Sequence, residues 1–425
     1  MQIQALYSIF QQHPSIQTDT RKLQAGDLFF ALKGPNFNGN LFAKQALEAG
    51  AAYAVIDEPA GFEDERLIET ADVLTTLQEL AKYHRQQFNI PFIAITGSNG
   101  KTTTKELVYE VLAATYKTYT TKGNLNNHIG VPLTLLSVQK DAEMAVIEMG
   151  ANHQKEIESY CTYTLPTHGL ITNCGKAHLE GFGGEAGVRK GKGELFAYLR
   201  ANGGTAFIMS DYPYLVEMSK GIAEVRTYGT ANAEIMGRVA PHAGLLQVEI
   251  LDQPGLESIQ TNLVGEYNLP NVLVAVAIGK YFNVRPELIK ASLQNYHPSN
   301  SRSQLITSGT NHVVLDAYNA NPTSMKAAIE NFARIDDRQK VLLLGAMMEL
   351  GNESLAEHKA LVQLIGRYPW KAVVLVGGDF AKVEHPYHYF PDSLTAREWV
   401  KSQSFEDTSL LVKGSRSMQM EKVLD

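Results

Sequence analysis

A glycine-rich loop between an apolar run and an amphipathic segment constrains this chain more than any other feature. The run Pro91–Ile95 predicts a buried strand, the loop Thr96–Thr103 reads TGSNGKTT, and Thr104–Leu112 has the spacing of an amphipathic helix. In such a strand–loop–helix unit, glycines let backbone N–H groups approach phosphate oxygens, and the helix N-terminus adds positive potential. Lys101 is then placed to reach the β- and γ-phosphates, and Thr102 to ligate Mg²⁺. We interpret the loop as an ATP site; the alternative is a tight glycine turn that only enters a helix.

The composition is that of an ordinary globular protein. A chain of 425 residues suggests about three domains, and its 44% hydrophobic and 20% charged residues are usual for soluble proteins. The net charge of −7 argues against nucleic acid as the main partner. Cys161 and Cys174 are too few for a disulfide framework. Because neither a signal peptide nor an apolar run of ~18 residues is found, we expect a cytoplasmic protein that does not insert into membranes.

The order of predicted elements indicates an α/β protein of three domains. Residues 1–89 carry two short predicted strands with a helix between them, and are expected to form a small α/β domain. Residues 90–300 alternate strands with helices, which predicts a parallel sheet covered on both faces. Residues 301–425 hold four apolar runs separated by helical patterns, which predict a smaller, doubly wound Rossmann-like sheet. Ligands of such sheets bind at the carboxyl ends of the strands, so polar residues after these runs are site candidates.

Two residues of the central domain are candidate magnesium ligands. Glu148 directly follows the apolar run Ala145–Ile147, and His178 follows the run Gly169–Thr172. Mg²⁺ prefers oxygen ligands, so Glu148 carries more weight than His178. A lone histidine is more often a hydrogen-bonded structural residue, and only its occurrence with Glu148 in an ATP domain favours the metal role.

Two further polar segments are candidates for substrate contacts. Gly123–Pro132 holds several asparagines, whose side chains donate and accept hydrogen bonds but also favour turns for local reasons. Asp316 follows a predicted strand and would bind a ribose hydroxyl or cap a turn. Lys413 and Arg416 follow the last predicted strand, where they would bind a carboxylate or phosphate, or be ordinary surface charges.

Taken together, these motifs resemble the Mur ligase family from about Thr18 to the C-terminus. The loop Thr96–Thr103 is similar to the phosphate loop of that family. The segment Asp316–Pro322 is the most specific match, and 26–32, 124–132 and 344–351 support it. Within the family, these segments resemble the members that add D-Ala-D-Ala.

This resemblance implies an ATP-driven amide ligation. UDP-MurNAc-tripeptide would bind to residues 1–89, ATP to 90–300 and D-Ala-D-Ala to 301–425. The tripeptide carboxylate would form an acyl phosphate, which the dipeptide amine then attacks. The family members use ATP and Mg²⁺, here expected as two ions, and we expect a monomer. Whether the third residue of the tripeptide is L-lysine or meso-diaminopimelate stays open.

The resemblance also carries roles onto individual positions. Nucleotide contacts are expected from Gly97, Ser98, Asn99, Gly100, Lys101, Thr102, Thr103, Asn268, Asn271, Arg302 and Asp316. The implied metal ligands are Thr102, Glu148, His178 and Lys192, and the implied catalytic residues are Lys101, His178 and Lys192. Substrate contacts are expected from Asp19, Thr20, Arg21, Asn124, Asn127, His128, Tyr318, Asn319, Asn321, Lys413 and Arg416.

Lys192 matches the family position that carries a lysine carbamate. Addition of CO₂ to a neutral amine would convert a cation into an anionic oxygen ligand for a second Mg²⁺. The ordinary lysine pKa of ~10.4 opposes the loss of the proton, and neighbouring cations favour it. An unmodified Lys192 is the alternative.

Three other functions are weighed against this one. A Mur ligase that adds the third residue would carry an Asp-Asn-Pro-Arg signature, which is not found. A folylpolyglutamate synthase shares the phosphate loop but lacks the first domain that 26–32 indicates. A nucleotide-binding protein without catalysis would not need Lys101, Glu148, His178 and Lys192 together.

Overall fold

The computed structural model describes residues 2–240, 244–299, 301–337 and 339–425, and the chain divides into two units. The first unit comprises Met1–Ala94, Tyr116–Gly150 and Glu156–His168, and the second comprises Ile95–Thr115, Ala151–Lys155 and Gly169–Asp425. Within the described residues, both units mix α-helices with β-strands. No helix among these residues is both long and apolar enough to cross a lipid bilayer.

The first unit begins with a small parallel sheet. Its helices and strands are α1 (Ile3–Gln12), β1 (Ile16–Gln17), β2 (Leu28–Phe30), β3 (Lys33–Gly34), β4 (Phe37–Asn38), α2 (Ala43–Glu48), β5 (Tyr53–Ile56), β6 (Leu67–Glu69) and α3 (Val73–Arg85). The sheet order is β1-β2-β5-β6, all parallel, and β3 pairs with β4 in a hairpin. Phe29 and Ala54 on neighbouring strands pack against Ala43 and Leu47. The two predicted strands are β2 and β5, with α2 between them.

The strand that precedes the phosphate loop spans the boundary between the units. It is β7 (Phe92–Thr96), and all five of its residues are buried. The rest of the first unit contains β8 (Thr118–Thr120), α5 (Gly130–Leu136), β9 (Met144–Glu148) and α6 (Glu156–Thr164). Strands β8 and β9 pair in parallel, and β9 is wholly buried, ending at Glu148.

The second unit opens with the helix of the phosphate loop. Its elements up to Asn295 are α4 (Lys101–Ala113), β10 (His168–Ile171), α7 (Leu179–Phe182), α8 (Glu185–Ala201), β11 (Thr205–Met209), α9 (Pro213–Met218), β12 (Glu224–Gly229), β13 (Ile235–Val239), β14 (Leu245–Leu251), β15 (Ser258–Val264), α10 (Leu269–Tyr281) and α11 (Pro286–Asn295). Strands β11, β12 and β13 pair in parallel. Strands β14 and β15 continue this sheet antiparallel, which the expectation of a parallel sheet did not include. Among the residues that the structure describes there, no helix lies between these strands, and β14 and β15 each run antiparallel to the strand before.

The C-terminal part of the second unit contains the other predicted doubly wound sheet. Its elements are β16 (Gln304–Ser308), β17 (Asn311–Asp316), α12 (Pro322–Arg334), β18 (Lys340–Gly345), α13 (Ser354–Ile365), β19 (Ala372–Val376), β20 (His388–Phe390), α14 (Ser393–Gln403) and β21 (Ser409–Lys413). The order is β16-β17-β21-β18-β19-β20, and only the edge strand β16 is antiparallel to its neighbour. The four predicted apolar runs are β17, β18, β19 and β21. Because β21 lies between β17 and β18, Lys413 is in register with both Asp316 and Leu344.

A buried arginine joins two helices of the first unit. Arg85 at the end of α3 donates to the carbonyl oxygens of Thr164 and Leu165 at 2.9 and 3.0 Å, and to that of Phe88 at 2.9 Å. Its guanidinium carbon lies 3.8 Å from the ring centroid of Phe92. The arginine therefore satisfies carbonyls at the end of α6, which the helix itself leaves without donors.

We expect Arg85→Leu to lower the free energy of unfolding of the first unit by about 3 kcal/mol, because the carbonyl oxygens lose a charged donor. Calorimetric thermal unfolding measures the change. Arg367→Leu, which alters an exposed side chain, is the control. A shift of the midpoint no larger than that of the control would contradict the assigned role.

Candidate active site

The backbone of the phosphate loop requires glycine at two positions. Gly97 has φ +145°, and a Cβ atom there would lie 1.9 Å from Thr172 Oγ1. Gly100 has φ +79°, and its Cβ atom would lie 2.8 Å from Asn271 Oδ1. Gly100 is also the N-cap residue of α4. The helix therefore begins at Lys101, three residues before the periodic pattern predicts, because the glycine turn directs the chain into it.

The phosphate loop is hydrogen-bonded to the residues that follow β10. Ser98 N donates to Asn173 O at 2.9 Å, and Asn99 N donates to Asn173 Oδ1 at 3.1 Å. Thr172 Oγ1 donates to Asn99 O at 2.6 Å. Lys101 Nζ donates to Gly97 O at 2.6 Å and to Ser98 O at 3.3 Å. The side chain of Asn173 thus shapes the loop, a role that only its position after a predicted strand hinted at.

The two asparagines expected to contact the nucleotide lie beside the loop. Thr104 Oγ1 donates to Asn271 Oδ1 at 3.0 Å, and Asn271 Nδ2 donates to Asn268 Oδ1 at 2.9 Å. Asn268 Nδ2 in turn donates to Val264 O at 2.9 Å. The structure therefore connects α4 to the start of α10 through a buried chain of amides. Both asparagines are buried, and their contact with the nucleotide stays a prediction.

His178 and Lys192 lie in the second unit and are held in different ways. His178 has φ +52° at the start of α7 and its Nδ1 contacts a carboxylate oxygen of Glu349. The hydrogen bond from His178 lowers the pKa of the Glu349 carboxyl. Lys192 on α8 is 1% exposed; its Nζ donates to Ala151 O at 3.0 Å and lies 4.9 Å from the ring centroid of Phe182. Sequence reasoning did not single out Glu349, since the pair joins residues far apart in the chain.

A buried ion pair organises the segment after β17. Lys413 is 2% exposed and its ammonium pairs with the carboxylate of Asp316. Lys413 Nζ also lies 3.3 Å from Asn319 O, and Ser303 N donates to Asp316 Oδ1 at 3.3 Å. The predicted surface-charge alternative for Lys413 is therefore wrong. Its observed contacts lie within the protein, and its substrate role stays a prediction.

Two arginines lie near the ring of Tyr318. The guanidinium carbon of Arg302 is 3.7 Å from the ring centroid of Tyr318, and that of Arg416 is 5.4 Å from it. An arginine above an aromatic face is favourable because the ring face carries negative potential. Three residues predicted from separate segments are thus brought together.

In the first unit, Glu148 is held by an asparagine that sequence reasoning missed. Asn126 Nδ2 donates to Glu148 Oε1 at 2.6 Å, and Glu148 N donates to Thr121 Oγ1 at 2.9 Å. Gly150 N also donates to Asn126 O at 2.7 Å. The clustered asparagines of 123–132 were the available signal, but only the fold distinguishes Asn126 from its neighbours.

The other predicted residues of the first unit make local contacts. Asn127 Oδ1 accepts from Ile129 N at 3.1 Å and Gly130 N at 2.8 Å, the turn role left open above. Asp19 caps the short 3₁₀ helix Thr20–Lys22 and binds the guanidinium of Arg21 at 2.8 Å through both carboxylate oxygens. Hydrogen bonds from Arg21 lower the pKa of Asp19 to about 2. The remaining expected contacts, those of Thr20, Asn124 and His128, stay predictions.

The expected metal ligands are distributed over both units. Glu148, 1% exposed, belongs to the first unit, whereas Thr102, His178 and Lys192 belong to the second. Within the described ranges, no group of three or more His, Cys, Asp and Glu side chains is arranged to hold a metal ion. The expected set relies on a threonine hydroxyl and a modified lysine, so it stays a prediction.

Three family models match the chain in succession. They are the Mur ligase family, catalytic domain at residues 14–91, the Mur ligase middle domain at 95–279 and the Mur ligase, glutamate ligase domain at 301–416. A Bacillus subtilis protein named UDP-N-acetylmuramoyl-tripeptide–D-alanyl-D-alanine ligase is 34% identical, over 96% of this chain and 92% of the relative.

Solved structures show the same architecture. MurF from Acinetobacter baumannii has a TM-score of 0.87 and 29% identity, covering 99% of this chain and 97% of that chain. MurF ligase from Thermotoga maritima, solved in complex with ADP, has a TM-score of 0.88 over 97% of this chain and 96% of that chain, and its 24% identity supports the fold. The predicted α/β fold of three domains is confirmed. The chain belongs to the Mur ligase family.

Proposed function

We propose that this chain is an ATP-dependent ligase that adds D-Ala-D-Ala to UDP-MurNAc-tripeptide, giving the pentapeptide used in peptidoglycan synthesis. One observation carries this proposal: relatives named for this activity align with nearly the whole chain, at 34% and 35% identity over 96% of it. The phosphate loop and its supporting contacts agree with the nucleotide part of the reaction.

The phosphate loop supplies what the first step needs. An oxygen of the tripeptide carboxylate attacks the γ-phosphorus, the bond to the β,γ-bridging oxygen breaks, and ADP leaves. Two anions must approach each other, so positive charge and N–H donors have to be concentrated there. Lys101 and the first turn of α4 supply both. Lys101 Nζ, which bonds to the loop carbonyls of Gly97 and Ser98, would turn to the phosphates when nucleotide binds.

The second step forms the amide. The dipeptide amine nitrogen attacks the acyl carbon, the bond from that carbon to the phosphate oxygen breaks, and phosphate leaves as the nitrogen loses a proton. The acyl phosphate must be kept from water. Tyr318 with Arg302 and Arg416, and the Asp316–Lys413 pair, are the groups we assign to substrate and nucleotide around this step.

The donor chemistry of the chain fits Mg²⁺. Buried Glu148 offers carboxylate oxygens and Thr102 a hydroxyl, the hard ligands that this ion takes, with His178 as a further ligand. Bound Mg²⁺ would neutralise charge on the phosphates. Asn126 holds the Glu148 carboxylate and Glu349 contacts His178, so these two proposed ligands each have an orienting partner.

We propose a carbamate at Lys192. Lys192 is 1% exposed, and the removal of water from a buried amine favours its neutral form. The neutral Nζ would form a bond to the carbon of CO₂ and release a proton. The resulting carboxylate would serve as a ligand for a second Mg²⁺.

We propose the domain limits 1–89, 90–300 and 301–425. We also propose a cytoplasmic location, because the ATP and the UDP-linked substrate of this reaction are available in the cytoplasm. Asp19, Thr20 and Arg21 are assigned to the UDP-sugar. A folylpolyglutamate synthase is less favoured because the N-terminal parallel sheet β1-β2-β5-β6 falls within a Mur ligase family match. No observation favours a non-catalytic nucleotide-binding protein.

The proposed reaction is tested by phosphate release from ATP. We expect release that requires both UDP-MurNAc-tripeptide and D-Ala-D-Ala, and the two tripeptide types, with L-lysine or meso-diaminopimelate, identify the third residue by preference. Release with glutamate and a folate in place of these substrates, or no release with either tripeptide, would contradict the proposal.

Lys101→Ala should lower kcat at least about 100-fold, the usual cost of removing a donor to a developing charge. Far-UV circular dichroism should stay unchanged, since Lys101 Nζ bonds to carbonyl oxygens of its own loop. Lys140→Ala, at an exposed position, is the control. An active Lys101→Ala enzyme would refute the phosphate-loop assignment.

Lys192→Ala should lose activity, and small carboxylic acids such as acetate should restore part of it by replacing the carbamate oxygens. Lys190→Ala, two residues earlier on the same helix and exposed, should keep its activity and not respond to the acids. Mass spectrometry of the intact wild-type chain under CO₂ gives a readout that does not depend on activity. Absence of both the rescue and the added mass would contradict the carbamate.

A further inference from the structure

The start of helix α12 contacts the phosphate loop through one side chain. Asn321 Nδ2 donates to Asn99 Oδ1 at 2.7 Å, across 222 positions of sequence. Asn321 is 8% exposed, and the contact is partly buried. Both residues belong to the second unit. The contact joins the C-terminal sheet to the loop that we assign to the nucleotide phosphates.

The helix decides which way the Asn321 amide faces. Asn321 is the N-cap residue of α12, and its Oδ1 accepts from Ser324 N at 2.9 Å. Ser324 Oγ accepts from Asn321 N at 3.1 Å, which completes a capping box. Because a backbone N–H only donates, the oxygen of the Asn321 amide must face Ser324. Its nitrogen is therefore the group that faces Asn99.

This orientation in turn decides the orientation of Asn99. A donor on Asn321 requires the oxygen of Asn99, so Asn99 Nδ2 must point away from Asn321. Asn99 Nδ2 is buried, and no atom in the described ranges accepts a hydrogen bond from it. A buried donor without an acceptor is unfavourable. In a phosphate loop, the groups that accept hydrogen bonds from such donors are the anionic oxygens of the bound nucleotide.

A second set of contacts holds the N-terminal end of α12 in place. Lys176 N donates to Thr323 Oγ1 at 3.0 Å, and a Cβ atom on Gly175 would lie 2.9 Å from that oxygen. Lys176 Nζ also pairs with Glu357 at 2.7 Å. The position of the Asn321 amide is therefore determined by several contacts and does not depend on the bond to Asn99 alone.

We propose that Asn321 is a positioning residue that orients the Asn99 amide so that Asn99 Nδ2 donates to a phosphate oxygen of the bound nucleotide. Nucleotide affinity then depends on the seating of α12, and by reciprocity bound nucleotide strengthens that seating. This role replaces the direct substrate contact expected for Asn321. The inference rests only on the nucleotide-binding part of the proposed function.

The test is a double-mutant cycle on nucleotide affinity. Asn321→Ser keeps an oxygen that caps α12, adds no charge, and is too short to reach Asn99. Isothermal titration calorimetry of the full chain with magnesium and AMP-PNP should show a Kd about tenfold higher for Asn321→Ser and for Asn99→Ala, the cost of one hydrogen bond to an anion. The double variant should bind no more weakly than Asn99→Ala, because Asn321 acts through Asn99.

A matched control lies on the same helix. Asn331→Ser removes an amide whose Oδ1 accepts from Glu266 N at 3.1 Å, and its Kd for AMP-PNP should not change. The thermal unfolding midpoint of Asn321→Ser without nucleotide should fall only slightly, since the cap is retained and one hydrogen bond to Asn99 is lost. Additive losses in the double variant, or an unchanged Kd for Asn321→Ser, would overturn the inference alone. Absence of AMP-PNP binding by the wild-type chain would instead overturn the proposed function.

Discussion

The predicted nucleotide site depends on the backbone path of one loop. Gly97 passes so close to Thr172, and Gly100 so close to Asn271, that neither position has room for a Cβ atom. This close approach lets loop amides bond to Asn173 and starts α4 at Lys101. The residues that the Mur ligase resemblance assigns to nucleotide binding therefore pack closely against a loop backbone that only glycine permits.

Buried charges organise the rest of the second unit. A charge removed from water is tolerated only where partners replace its hydration. Lys413 meets this condition through Asp316 and the carbonyl of Asn319, and the turn after β17 is shaped around it. The same turn leads to Asn321, whose amide reaches the phosphate loop. Lys192 is likewise buried, with a backbone carbonyl and an aromatic face near its Nζ.

The orienting residues were the hardest to predict. Glu148 could be selected because it ends an apolar run, and it does end β9. Asn126 donates to this carboxylate, but the sequence gives no reason to choose it over the other asparagines of the same segment. Glu349 pairs with His178 from a distant segment, and no local pattern links the two. The antiparallel strands β14 and β15 were also missed, since strand pairing depends on partners outside the segment.

The sequence by itself determined the phosphate loop, the alternation of strands and helices that makes the α/β fold, and the resemblance to the Mur ligases, because these depend on local spacing, on glycine and on hydrophobic periodicity. Only the tertiary structure decided which side chains orient which others. Lys413 turned out to be a buried partner of Asp316, and Asn321 a helix cap that contacts the loop. Polar contacts between residues far apart in the chain depend on how elements pack, and such pairings leave no periodic pattern in the sequence.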